Sequence, residues 1–190
     1  MSLLSHFVTD RRRFDLTPTD LVVRASRAAQ RGVNVVQVRE RDLDSGALAV
    51  LVADVVRAVA GTHTKVVVND RADVAIAAGA HGVHLRGDSF AAARIRVIAP
   101  AGFIVGRSVH SSAEIEAASG EGGCDYLMFG TVFASAGKPH GHPVAGLDAL
   151  RAACRQTRLP VIAIGGIDES RLEAIEKTGA AGFAAVGMFM

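Results

Sequence analysis

The residues best suited to chemistry in this chain stand at or just past the ends of short apolar runs. Asp10 closes the first run, and Gln37, Arg39, Glu40 and Arg41 close the second. Asn69, Asp70 and Arg71 end the third; His84 and then Asp88 mark the fourth. Ser108 ends the fifth run, with His110 behind it. Gly130 and Thr131 end the sixth and lead into a Gly/Ser/Pro-rich loop with Lys138, His140 and His142. Gly165-Gly166 follow the seventh run and Gly187 the eighth.

Gln37 and Arg39 share one face of an extended segment, because side chains repeat every two residues. Two long polar groups in an apolar strand need partners. One reading is an ion pair with a neighbouring aspartate. The other is a donor cluster for an anion, with the planar fork of Arg39 on phosphate oxygens. Asn69-Asp70 reads either as a turn fixed by side-chain bonds to the backbone or as a carboxylate suited to a magnesium ion bridging phosphates. Gly165-Gly166 lets backbone N–H groups approach a phosphate; a tight turn at positive φ is the alternative. His84 reads as a packed core histidine or an acid-base group. The spacing of His81 and His84 finds no third ligand for a metal set. Arg11-Arg12-Arg13 reads as a solvated loop.

These side chains need a scaffold that gathers strand ends. The apolar runs lie at 6–10, 33–39, 64–70, 82–85, 103–108, 126–130, 160–166 and 182–187. The spacing is about 24 residues per unit, close to a minimal strand-loop-helix-loop module. The runs are apolar at nearly every position, as parallel strands buried on both faces require. Between them lie alanine-rich amphipathic stretches with helix starts at Thr17-Pro18, Asp44, the Ser111–Glu114 capping box and Asp168, and stops at Gly61 and Gly179. The pattern predicts a single-domain (β/α)8 TIM barrel over residues 1–190, with catalysis at the carboxyl ends of the strands. An open doubly wound sheet is the alternative, but no GxGxxG follows the first run. Only three residues follow the eighth run. The last helix is therefore expected to be truncated or missing, leaving apolar surface between the first and seventh helices and favouring a homodimer.

Composition narrows the function classes. The chain has 190 residues, 49% hydrophobic and 21% charged, with 21 basic and 19 acidic side chains. That is a globular composition. So even a balance argues against nucleic-acid or anionic-membrane partners. No run reaches the roughly 18 apolar residues of a membrane span. Two cysteines make no disulfide framework, and the N-terminus lacks the charge order of a signal peptide. A cytoplasmic protein is expected.

The ordered motifs Gln37-Val38-Arg39-Glu40-Arg41, Val67-Val68-Asn69-Asp70-Arg71, Gly82-Val83-His84-Leu85, Gly106-Arg107-Ser108-Val109-His110, Cys124–Gly130, Lys138, Gly146-Leu147 and Ala163–Ile167 span the chain from about residue 6 to 187. Together they resemble the thiamine-phosphate synthase/TenI family. The resemblance implies the same barrel. It also implies a transferase that joins hydroxymethylpyrimidine diphosphate to hydroxyethylthiazole phosphate and releases diphosphate. By that resemblance, Gln37 contacts the pyrimidine, and Arg39, Arg41, Asn69 and Lys138 hold the diphosphate. Asp70 binds Mg2+, with Asp88 a candidate second ligand. Ser108 lies beside the leaving group, and Gly165, Gly166 and Gly187 cradle the thiazole phosphate. The implied partners are small phosphorylated heterocycles.

Some positions depart from the synthase pattern. Arg41 replaces the usual lysine. The loop that in synthases reads close to HLGQxD, ending in the second metal ligand, here reads His84-Leu85-Arg86-Gly87-Asp88-Ser89, with Ser89 in the aspartate's place. These changes, with Gly106-Arg107-Ser108, lean toward the TenI branch, a thiazole tautomerase that needs an acid-base pair and no metal. That branch has a histidine after the strand-six glycine, where this chain has Thr131, which leaves His110 or His84 to move the proton. A non-catalytic phosphate-binding barrel is the third alternative.

Overall fold

In a computed structural model, residues 3–135 and 141–190 are described; Lys138 and His140 lie outside them. The eight apolar runs are the strands β1 (Leu4–Val8), β2 (Val35–Val38), β3 (Lys65–Asn69), β4 (Gly82–Leu85), β5 (Ile104–Val109), β6 (Tyr126–Gly130), β7 (Val161–Ile164) and β8 (Gly182–Ala185). They pair in parallel, in chain order, and β8 pairs back onto β1 to close the barrel. Closure removes the sheet edges that an open doubly wound fold would leave.

Seven α-helices alternate with the strands among the described residues: α1 (Pro18–Gln30), α2 (Ser45–Ala58), α3 (Ala72–Ala77), α4 (Ala92–Ile98), α5 (Ser112–Glu121), α6 (Gly146–Gln156) and α7 (Leu172–Glu176). Alanines on their inner faces, such as Ala25, Ala28 and Ala29 of α1, bring the helices close to the strands. Local chemistry sets the starts. Thr17 and Asp20 form a reciprocal capping box at α1, with Pro18 in its first turn. Asp44 accepts from the Ala47 N–H at α2.

Two expected boundaries change. Ser111 accepts from the Glu114 N–H, but the Glu114 carboxylate accepts from the N–H of His110 rather than of Ser111. The box at α5 is therefore half-formed, and its acidic end holds the loop after β5 instead. Asp168 precedes a 3-10 turn (Glu169–Arg171), and α7 begins only at Leu172.

The outer core fills the space between strands and helices, with Phe7, Leu21, Val52, Leu127, Leu150 and Ile175 fully buried. Each such side chain contributes about 1.5–3 kcal/mol by leaving water. The Phe189 ring lies 5.4 Å from Phe7 and 6.3 Å from Phe183, and both of those rings are buried. Cys124 and Cys154 are free thiols. No described helix is long and apolar enough to cross a membrane.

Candidate active site

Inside the barrel, Val8, Met128, Ile162 and Ala184 form an apolar plug with Tyr126. Above it the alternation of β2 to β5 turns Gln37, Asn69, His84 and Ser108 toward one another. The Gln37 amide donates to Asn69 Oδ1 at 3.1 Å. Gln37 Oε1 and His6 Nε2 are buried without a partner among the described residues. Such atoms are rare unless water or a ligand meets them.

His84 is the centre of a chain of three groups. Its Nδ1 lies 2.9 Å from the Tyr126 hydroxyl and its Nε2 lies 2.8 Å from Ser108 Oγ. Burial, which disfavours the charged ring, lowers the His84 pKa to about 3. His6, 6.4 Å away, is lowered to about 3 by burial and then by His84. A neutral imidazole has one donor and one acceptor. Burial also raises the Tyr126 pKa, so its hydroxyl keeps its proton, and His84 is the partner that can take it. Nδ1 is then the acceptor, and Nε2–H donates to Ser108 Oγ. The Ser108 proton is left free to be donated to a ligand oxygen. This tautomer leaves His84 without a free lone pair, so it serves as a positioning residue for Ser108.

Gly106 makes the chain possible. A Cβ there would lie 2.0 Å from the Tyr126 ring. Arg107, the next residue, is buried on the other face and binds the carbonyls of Ser89 (2.6 Å) and Phe90 (3.3 Å), and Glu121 at 3.1 Å. It clamps the loop after β4. The motif Gly106-Arg107-Ser108 thus admits Tyr126, fixes a loop and presents a hydroxyl in three consecutive residues. Sequence reasoning gave Arg107 and Tyr126 no role. Their signal is that motif, but their partners are distant in sequence.

Arg39 answers the question raised by its buried strand. Its guanidinium is 3.9 Å from the Asp10 carboxylate, too far for a hydrogen bond, and its side chain is 28% exposed. Burial lowers its pKa, with the neighbouring charge of Arg41 adding to the effect. Arg41 is exposed. Asp10 and Glu40 act on Arg39 in the opposite sense, but neither forms a hydrogen-bonded pair with it, and two neighbouring cations suit an anion. Glu40, by contrast, is structural: it accepts from Thr9 Oγ1 at 2.6 Å and from the Arg11 N–H, tying the ends of β1 and β2.

Asp70 sits at φ +61°, a backbone region that asparagine and aspartate adopt more readily than other side chains. One of its carboxylate oxygens accepts from the Ser89 hydroxyl; the other lies 3.5 Å from Arg86 Nη1. Asp88 is 69% exposed and is bound by the other Arg86 terminal nitrogen. Asp70 and Asp88 are therefore bridged by a guanidinium. This does not fit a magnesium ion held between two carboxylates, since one Asp70 oxygen accepts from Ser89 and a guanidinium lies between the acids. No group of three His, Cys, Asp or Glu side chains suited to a metal occurs among the described residues.

Across the mouth the wall is glycine. Gly165 and Gly166 have φ of +106° and +61°, and a Cβ on Gly166 would lie 2.2 Å from the Ala134 carbonyl oxygen. The tight-turn requirement is therefore present, and the backbone is bare where the phosphate reading needs it. The Arg171 guanidinium binds the Gly166 carbonyl and lies 4.6 Å from the Phe133 ring centre, a cation beside this turn that sequence reasoning missed. Gly187 is unlike them: its Cβ would meet only Phe14, at 3.9 Å. His110 Nδ1 faces the Gly130 carbonyl, next to Thr131. Thr131 in turn lies 3.3 Å from His142 Nε2.

Residues 5–189 match the family described as thiamine monophosphate synthase. The chain belongs to that family. It is 37% identical over 170 residues to a thiamine-phosphate synthase of Methanoculleus marisnigri, covering 90% of this chain and 79% of the relative. It is 38% identical over 162 residues to one of Anaeromyxobacter dehalogenans, covering 85% and 72%. The solved structure of a thiamine phosphate pyrophosphorylase from Pyrococcus furiosus superimposes with a TM-score of 0.82 at 31% identity, covering 97% of this chain and 85% of that one. A 3-hexulose-6-phosphate synthase superimposes at 0.69 with 17% identity and shares the fold alone. Family membership accounts for the barrel and for the order of the motifs around its mouth.

Proposed function

We propose that this chain is a thiamine-phosphate synthase: it joins hydroxymethylpyrimidine diphosphate to hydroxyethylthiazole phosphate and releases diphosphate. The observation that carries this reading is the donor chain Tyr126–His84–Ser108, which leaves the Ser108 proton free for a ligand oxygen at the strand-end mouth that also carries Arg39 and Arg41. Departure of diphosphate breaks a C–O bond and builds negative charge on the leaving oxygen. Arg39 and Arg41 offset that charge, and the Ser108 hydroxyl donates to it. Gln37 Oε1, unpartnered and buried, takes a donor from the pyrimidine ring. The carbon left electron-poor is captured by the thiazole nitrogen, held beside it by its phosphate on Gly165 and Gly166, and this forms the new C–N bond. Gly187 widens the cradle. Lys138 is part of the reading by family resemblance. The family typically uses Mg2+, but the Asp70–Arg86–Asp88 bridge gives that ion no two-carboxylate seat, and no step here depends on it.

The test is direct. Purified protein with both substrates should yield thiamine phosphate, detected by fluorescence after oxidation. Folded protein that yields none overturns the reading. One observation favours a second reading, thiazole tautomerase. His110 stands beside Gly130 with Nδ1 turned to a carbonyl, which leaves Nε2 with a lone pair to move a proton. His110→Ala should leave the synthase reaction within a few-fold, and would abolish the tautomerase one. Assembly of two copies remains a proposal, with light scattering as its test.

A further inference from the structure

The loop after β4 carries a cation of its own in the place where two acids would otherwise face each other. Arg86 reaches Asp70 with one terminal nitrogen, at 3.5 Å, and Asp88 with the other. Ser89 donates to the remaining Asp70 oxygen. Arg107 fixes the loop from behind through the carbonyls of Ser89 and Phe90. Arg86 is half-exposed, and both ends of its guanidinium fork face carboxylates, so it offsets their charge as a bound cation would.

We propose that Arg86 fills the seat between Asp70 and Asp88 that a divalent cation would otherwise take, so that diphosphate binding at this mouth needs no divalent cation. The Asp70 carboxylate then orients Arg86 rather than ligating a metal. Three features point the same way: the bridged acids, the hydroxyl of Ser89 on Asp70, and the clamp that holds the loop. This rests on the synthase reading for the identity of the anion, but not for the chemistry of the charge.

The experiment is calorimetric titration of inorganic pyrophosphate into the whole protein, in EDTA and in excess Mg2+. Wild type should bind equally well in both, within about twofold. Arg86→Gly should weaken binding by about tenfold or more in EDTA, and Arg86→Lys should restore part of it. The double variant R86G/S89D, which removes the guanidinium and adds a second carboxylate, should bind weakly in EDTA and regain affinity with Mg2+. Circular dichroism checks that each variant is folded; Arg86 is a surface residue, and R86K keeps its charge.

A wild-type affinity that rises about tenfold with Mg2+ overturns the inference. So does failure of pyrophosphate to bind in either buffer. The synthase assay is read separately. Product formed only with Mg2+ sinks the inference and keeps the synthase reading. Metal-independent, Arg86-dependent pyrophosphate binding without product does the reverse.

Discussion

Strands β2 to β5 and strands β6 to β8 line one mouth with opposite materials. In the proposed reading the first wall recognises with side chains: Gln37, Arg39, Asn69, His84 and Ser108. The second is built of backbone, and in the same reading recognises with it: at Gly130, Gly165 and Gly166 a Cβ would collide with a neighbouring strand or loop. The difference is one of tolerance. Removing a side chain from the first wall removes an interaction and leaves the fold. Adding one to the second damages the fold before it touches a ligand.

The comparison can be broken at its strongest point. Arg39→Ala should lower kcat/KM for the synthase reaction by about 10²–10³, with the melting temperature little changed. Near-wild-type turnover would remove the anion site from this wall. The next effect belongs to the buried His84 of the same wall and to His6 beside it on β1. His6 and His84 have folded pKa values of about 3, below the ordinary 6.5. The unfolded chain therefore binds more protons between those values, so stability is full above about pH 6.5 and falls as the pH drops toward 3. The slope is at most about 1.4 kcal/mol per pH unit for each histidine. Urea midpoints measured from pH 7 down to 5 should fall; a flat profile would show that these rings are not held neutral.

The second wall gives the two smaller effects. Gly166→Ala should cost about 2 kcal/mol, from a strained φ and a blocked Cβ together. Thermal unfolding reads it, and an unchanged midpoint would mean that the loop over Gly166 yields. Gly187→Ala should change stability by less than about 0.5 kcal/mol, because nothing crowds the added methyl. If Gly187 belongs to the cradle, its KM for the thiazole phosphate should nonetheless rise. If both stability and KM stay put, the cradle ends at Gly166.

The two walls were not equally legible. The eight strands could be read because a strand buried on both faces has to be apolar throughout. The strand ends could be read because few other places tolerate Arg39 or Asp70 beside such runs. The glycine wall was legible only in part. A doubled glycine marks a turn, but whether a neighbour forbids Cβ, as at Gly166, or leaves space, as at Gly187, depends on residues far away in sequence. The same holds for Arg107 and Tyr126, whose partners come from other strands and loops. Lys138 and His140 lie outside the described residues, and the place of Lys138 at the mouth rests on family resemblance.

Tyr126 has one more consequence. It is the chain's only tyrosine, and the chain has no tryptophan. All tyrosine absorbance and emission therefore come from a single ring in the barrel interior, hydrogen-bonded to His84. Any ligand that engages the Ser108 proton is felt two bonds of that chain away, at the Tyr126 hydroxyl. The protein carries an unlabelled optical probe of its own mouth, and titrations followed by ultraviolet emission will report on that one place.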